Sequence, residues 1–214
     1  MRRWIIGLMF VGAAAGGCNK PKTRSSPPPV YQVGPNASPD VAPPPRQPNR
    51  PSGEVAWLPR AGRISPRWTT VVIHHSATQK GSARSFDRFH RDKGWDELGY
   101  HFVIGNGTDT PDGLIEVGSR WHKQKHGAHC KTADNYFNEH GIGVCLVGDF
   151  TKARPTPRQL AALERLVEFL CDRCEISPDR VVSHGAVTHK TACPGRHFPI
   201  SSFRRAVAAT TMLY

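Results

Sequence analysis

The sequence predicts an α/β fold: a single domain with a central mixed β-sheet flanked by helices, preceded by a disordered Pro-rich tail. Three observations carry this. Short β-branched or apolar runs alternate with stretches whose apolar residues recur every three or four positions, the pattern of strands feeding helices. A chain of 214 residues has room for one good-sized core and a tail, and hardly for two domains. The hydrophobic fraction is only 38%, and many of the 19 prolines crowd ahead of residue 55, which separates an extended part from a folded one.

Taken in order, residues 1–18 read as a secretory signal. Arg2 and Arg3 precede an apolar run from Trp4 to Ala15, too short for a stable membrane span. Ala15-Gly16-Gly17 then leads into Cys18, which resembles a bacterial lipoprotein cleavage box with Cys18 as the lipidated first residue; an ordinary signal peptide is the alternative. Residues 19–55 carry Pro27-Pro28-Pro29, Pro43-Pro44-Pro45 and further single prolines without apolar periodicity. Such a tract is a semi-rigid spacer of about 3 Å per residue, able to hold a domain roughly 100 Å from an anchor.

The folded domain is expected over residues 56–214. Trp57, Leu58, Ile64 and Trp68 form an arm across its surface. Thr69–Ile73 is a buried strand ending at His74-His75-Ser76. Ser82–Lys93 is a helix stopped by Gly94. Leu98–Ile104, Leu114–Val117 and Gly141–Gly148 are strands, the last of them central. Arg120–Glu139 is polar and reads as a long loop or broken helix. Thr156-Pro157-Arg158-Gln159 combines a cap, a first-turn proline and a capping box. Leu160, Leu163, Leu166, Val167 and Leu170 mark the inward face of the helix opened there, which runs to about Cys171. Arg180–Ser183 is the last strand, and Ser201-Ser202 opens a closing helix with Phe203, Val207 and Met212 inward.

The chemistry concentrates between Ser183 and Gly195. His184 and, nine positions on, Cys193 are an imidazole and a thiolate, common zinc ligands. Nine residues is too long for one helical face, and suits a strand end followed by a loop folding back over one ion. A catalytic zinc takes three protein ligands and keeps one open position. The third donor is sought in the strand end at His74-His75, whose side chains point to opposite faces. Such an ion lowers the pKa of water toward about 7 and polarises an amide carbonyl. In the polar loop His126, His129 and Asn135 are candidates to line a groove, His129 and Asn135 as peptide-binding residues. Trp95 and Trp121 either stack on sugar or cover the core, with the core favoured for Trp95. Cys130, Cys145, Cys171 and Cys174 are available for one or two disulfides, Cys145 reading rather as a small buried apolar residue. The net charge of +12 is scattered, with no Lys/Arg block. This argues against nucleic acid and for an anionic cell-surface polymer.

Several segments appear in one order: Ile73-His74-His75-Ser76-Ala77-Thr78, Gly94-Trp95, Leu98-Gly99-Tyr100-His101-Phe102, Gly141-Ile142-Gly143-Val144, and His184 with Thr191-Ala192-Cys193-Pro194-Gly195. Over about residues 68–205 the chain resembles the zinc-dependent N-acetylmuramoyl-L-alanine amidases of the phage lysozyme-like and peptidoglycan-recognition-protein group. The resemblance implies zinc on His74, His184 and Cys193, Tyr100 beside the metal, and Thr191 assisting catalysis. Relatives usually place seven residues between histidine and cysteine, and here there are eight, so Lys190 stands as the alternative to Thr191.

The expectation is an exported enzyme, lipid-anchored to a bacterial membrane and facing periplasm or cell wall. It is expected to be a monomer that hydrolyses the bond between N-acetylmuramic acid and L-alanine in peptidoglycan. One rival is a non-catalytic peptidoglycan-binding module of the same fold, which in such relatives typically lacks the cysteine. A second is a thiol hydrolase with Cys193 as nucleophile and His184 as base. A third is a metal-free polysaccharide-binding lipoprotein.

Overall fold

The computed structural model describes residues 55–60 and 62–211. The signal segment with Cys18, the Pro-rich tract up to residue 54, and Met212 lie outside the described residues. Five strands form one mixed sheet, in the order β3-β2-β4-β1-β5. They are β1 (Thr70–His75), β2 (Phe102–Ile104), β3 (Ile115–Val117), β4 (Gly141–Leu146) and β5 (Val181–Ser183). β4 is central and parallel to both β1 and β2, β5 runs parallel to β1, and only the edge strand β3 is antiparallel.

Alternation along the strands sorts the sheet into two unlike faces. Val71, Ile73, Phe102, Ile104, Ile142, Val144 and Leu146 join the main core. Against them pack two helices, α4 (Pro157–Cys174) and α6 (Ile200–Thr211). Leu163, Leu166, Val167 and Leu170 of α4 are fully buried there, as are Val207 and, nearly so, Phe203 of α6. The other face carries a smaller cluster, Leu98, Val103, Cys145 and Val147, roofed by Phe86 of α1 (Ala83–Asp92) and by Tyr100. His74 pairs in register with Cys145, and so faces this second side, while His75 faces the core.

The α4 start forms as its residues dictate. The Thr156 hydroxyl accepts from the Gln159 N–H, and the Gln159 side chain closes the capping box. Gln159 then donates Nε2 to the carbonyls of Val147 (2.8 Å) and Ile104 (3.3 Å), tying the helix to the ends of two strands. The helix runs one turn beyond Cys171. Trp57, in a 3-10 turn at Val55–Trp57, packs edge-on to Phe169, and its carbonyl accepts from Trp121.

Three local expectations are corrected. Leu98–Tyr100 do not join the sheet ladder: the Gly99 carbonyl is taken by Ala128 N–H from the neighbouring loop. Trp95 is 43% exposed, its ring stacked on His90 at 4.5 Å, because the turn at Gly94 carries it outward; Trp121 is the buried tryptophan. Cys130, Cys145, Cys171, Cys174 and Cys193 are all free thiols. The polar segment 120–139 holds two short helices, α2 (Ser119–His122) and α3 (Tyr136–Glu139).

An ion network fastens that segment to the chain ahead of Tyr100. The fully buried Arg120 donates to the carbonyls of Leu98 and His126 and pairs with Asp96. Glu97, also buried, accepts from Ser119, Lys123 and Lys125. Burial by itself pushes the Glu97 carboxyl up; the three donors overcome it and hold it at about 2, against 4.5 for a free glutamate. A folded-state value below the unfolded one contributes stability above about pH 4.5 that is lost as pH falls toward 2. Glu97→Gln is therefore expected to cost about 1–2 kcal/mol at pH 7. It should also flatten the decline between pH 4.5 and 2 in urea midpoints followed by circular dichroism.

Candidate metal centre

His74 is the penultimate residue of β1, and its ring is enclosed. The Nδ1 atom faces Cys193 Sγ at 3.9 Å, and Nε2 lies 3.1 Å from His129 Nδ1. The rings of His184 and Tyr100 stand 4.6 and 5.2 Å away, centroid to centroid. One nitrogen each from His74 and His184 and the sulfur of Cys193 lie within 4.8 Å of one another. Two segments more than a hundred residues apart thus bring three donors to one point.

The second segment is built differently from the simple loop its sequence suggests. Ser183 caps a short helix, α5 (His184–Thr188), by accepting from Ala186 N–H at 3.2 Å. The chain then reverses and returns to the helix start. There Gly185 N–H donates to the Cys193 carbonyl at 2.7 Å, which sets His184 beside Cys193. A Cβ at position 185 would lie 2.6 Å from the Thr191 carbonyl oxygen and 2.9 Å from that of Cys193. Glycine is what permits the approach. Cys193 is buried, and its sulfur accepts from His75 N–H at 3.3 Å.

Burial sets the protonation of the cluster. It pushes His74 well below the usual imidazole value, helped by the neighbouring His129, His184 and His75, and lowers His184 too. Both rings are neutral near pH 7, the form that binds a metal. Burial pushes the Cys193 thiol up to about 12 and the Tyr100 phenol well above its usual range. Tyr100 stays protonated. The donor set suits zinc: two neutral imidazoles and a sulfur, convergent and shielded.

The other sequence-derived candidates divide between the site and its supports. Thr191 and Lys190 are both exposed, and the Thr191 hydroxyl accepts from Cys193 N–H at 3.2 Å. His75 turns to the core, where its Nδ1 accepts from Phe150 N–H at 3.0 Å. His101 is buried between Gly143 N–H and the Lys125 carbonyl. His129, expected beside a peptide groove, is buried next to His74 with both ring nitrogens hydrogen-bonded. Asn135 sits in the left-handed region at the start of α3, bonded to Asn138 and Glu139. Asn138 in turn accepts from the N–H groups of His129 and Cys130. Sequence reasoning missed Asn138 and His90; the latter accepts from Gly99 N–H and holds the turn before Tyr100. Nothing in their local sequence distinguishes them from surface polar residues.

The sequence pattern of N-acetylmuramoyl-L-alanine amidases matches residues 65–196, the span that holds all three donors. The chain belongs to the N-acetylmuramoyl-L-alanine amidase family. Among relatives, the endolysin of Enterobacteria phage T3 is 34% identical over 142 residues, 62% of this chain and 85% of the endolysin. The N-acetylmuramoyl-L-alanine amidase of Sus scrofa is 36% identical over 137 residues, 58% of this chain. The match spans about a fifth (21%) of the pig protein's length. Among solved structures, the N-acetylmuramoyl-L-alanine amidase LysC from Clostridium intestinale superposes with a TM-score of 0.56 at 26% identity. That alignment covers 70% of this chain and 90% of LysC.

Since Gly185 holds His184 beside Cys193 without itself supplying a donor atom, Gly185→Ala should loosen the site while keeping every donor residue. The expected loss is about 1–3 kcal/mol of folding stability from the forced contact with Thr191 and Cys193, read from the denaturant midpoint.

Proposed function

We propose that this chain is an exported, lipid-anchored zinc amidase that cleaves the bond between N-acetylmuramic acid and L-alanine in bacterial peptidoglycan. The observation that carries the reading is the convergence of His74, His184 and Cys193 within 4.8 Å, inside the segment that matches the amidase family. When bound, zinc supplies Lewis-acid polarisation of the scissile carbonyl and a water of lowered pKa.

The chain's own residues do the rest. Tyr100 keeps its proton and stands beside His74. It can aim its O–H at the substrate oxygen, where negative charge develops in the tetrahedral intermediate. Thr191 spends a lone pair on Cys193 N–H, which leaves its own O–H free to donate toward the substrate. We assign the assisting role to Thr191, whose hydroxyl is held against Cys193, rather than to Lys190. The half-exposed Trp95 offers a ring near this region through His90 and Tyr100, and a sugar can stack there. Upstream, Cys18 as anchor and the Pro-rich tract as spacer would let a membrane-held domain reach the wall.

A non-catalytic peptidoglycan-binding module of the same fold is the alternative; the presence of Cys193 beside the two histidines favours the enzyme. The thiol hydrolase is disfavoured by the site. A nucleophilic cysteine needs a depressed pKa and access, and Cys193 is buried with its thiol pushed up.

The zinc-loaded protein is expected to release stem peptides from purified peptidoglycan, with release lost in chelator and in Cys193→Ser. Binding without release would instead identify the recognition module, and full activity in EDTA the thiol enzyme. Within the active enzyme, Tyr100→Phe should lower kcat by about 10²–10³ through loss of one donor to the developing oxyanion. Steady-state kinetics on a muropeptide should also separate Thr191→Val, expected to fall by about 10²-fold, from Lys190→Ala, expected within about twofold.

A further inference from the structure

His74 has two ring nitrogens, and only Nδ1 faces the donor cluster. The other, Nε2, meets His129 Nδ1 at 3.1 Å, and the far nitrogen of His129 meets the Gly141 carbonyl oxygen at 3.1 Å. A carbonyl oxygen can only accept, so His129 Nε2 carries a proton. In neutral His129 the Nδ1 atom is then an acceptor, and His74 Nε2–H is the donor that meets it. His74 is left with a bare Nδ1 pointing at the Cys193 sulfur. One backbone carbonyl thus orders the protons along a chain of two imidazoles.

The surroundings are shaped to hold that ring still. Asn138 Oδ1 accepts from the backbone N–H of both His129 and Cys130 at 2.8 Å. The His129 ring lies against Gly143 of the central strand, where a Cβ would come within 2.4 Å of its Cδ2 atom. The Gly-Ile-Gly run of β4 therefore supplies both the accepting carbonyl, at Gly141, and the space, at Gly143.

We propose that His129 is a positioning residue for the metal centre. It fixes His74 in the Nε2–H tautomer and in one orientation, so that Nδ1 is presented to the ion. The inference rests on the zinc reading and deepens it. Partners of this kind orient a ligand and raise its basicity, and their loss typically costs about 10–100-fold in metal affinity.

The test uses the full chain and Co²⁺ as probe, followed by the thiolate-to-cobalt absorption band, so that no turnover is needed. His129→Leu removes the acceptor; His129→Asn returns an oxygen near the place of Nδ1. The leucine variant is expected to lose about 10–100-fold in Co²⁺ affinity and the asparagine variant about threefold or less. Wild-type affinity in the leucine variant, or equal losses in both, would overturn the proposal and make His129 a space-filler. Because the leucine variant can fail to fold, ¹⁵N imidazole spectra of the metal-free wild type at pH 7 give a second measurement. Both His74 and His129 should be neutral Nε2–H tautomers; an Nδ1–H or doubly protonated His129 overturns the ordering. A wild-type protein that binds no Co²⁺ would sink the zinc reading instead, while the tautomer spectrum still decides the role of His129.

Discussion

The site depends on one constraint: a histidine delivered by a buried strand must have both ring nitrogens satisfied. An unpaired polar atom in such a place costs on the order of 1–3 kcal/mol. β1 brings His74 into the smaller of the two sheet faces, enclosed by Tyr100, His129, His184 and Cys193. Nε2 is satisfied by His129. Nδ1 meets only a thiol at 3.9 Å, too long for a strong hydrogen bond. The fold therefore pins one side of the ring firmly and leaves the other side aimed at a point where two further donors meet.

That arrangement needs a polar scaffold on a face where the apolar cluster is small. Leu98, Val103, Cys145 and Val147 could not by themselves order the chain around Tyr100 and His129. Hydrogen-bonded groups do it instead. Arg120 grips two carbonyls, Glu97 gathers three donors, His90 takes the Gly99 N–H, and Asn138 clamps the backbone of His129 and Cys130. Each is buried and each is satisfied, the condition under which a polar network rigidifies its surroundings. The main core under α4 and α6 is built mainly from apolar side chains. The two faces divide the labour: one supplies cohesion, the other holds geometry.

This division also explains what could be read in the sequence. The apolar face is written in periodicities, so α4 with its Thr156 cap, the central place of β4 and the inward face of α6 were all legible. The donors were legible because imidazole and thiol are rare enough to be noticed, and because His74 and His184 lie at the ends of the apolar runs that form β1 and β5. The polar scaffold was not. Arg120, Glu97, Asn138 and His90 are residue types that mostly sit in water, and nothing in their neighbours marks them as buried. The same bias hides the burial of His129 and its contacts with His74 and Gly141. Trp95 shows the converse: a large aromatic is expected inward, but a left-handed glycine at position 94 turns it to solvent. The short helix α5 had a signal, Ser183 ahead of His184, that a reading centred on the histidine passed over.

The electrostatics of the donors bear on which chemistry the proposal can support. Left to themselves the three groups are neutral at pH 7, because burial lowers the imidazoles and pushes the Cys193 thiol up to about 12. A thiol nucleophile requires the reverse, a sulfur whose ionised form is stabilised by a nearby positive group. The histidines here cannot serve, since the burial that surrounds them also keeps them uncharged. The His75 N–H aimed at the sulfur is a fixed dipole that favours the thiolate, and it does not overcome desolvation. A divalent cation changes both balances together. It takes the imidazoles in the neutral form they already have, and its charge offsets the cost of ionising the sulfur. The residues that disqualify Cys193 as a nucleophile are therefore the same ones that make it a good ligand.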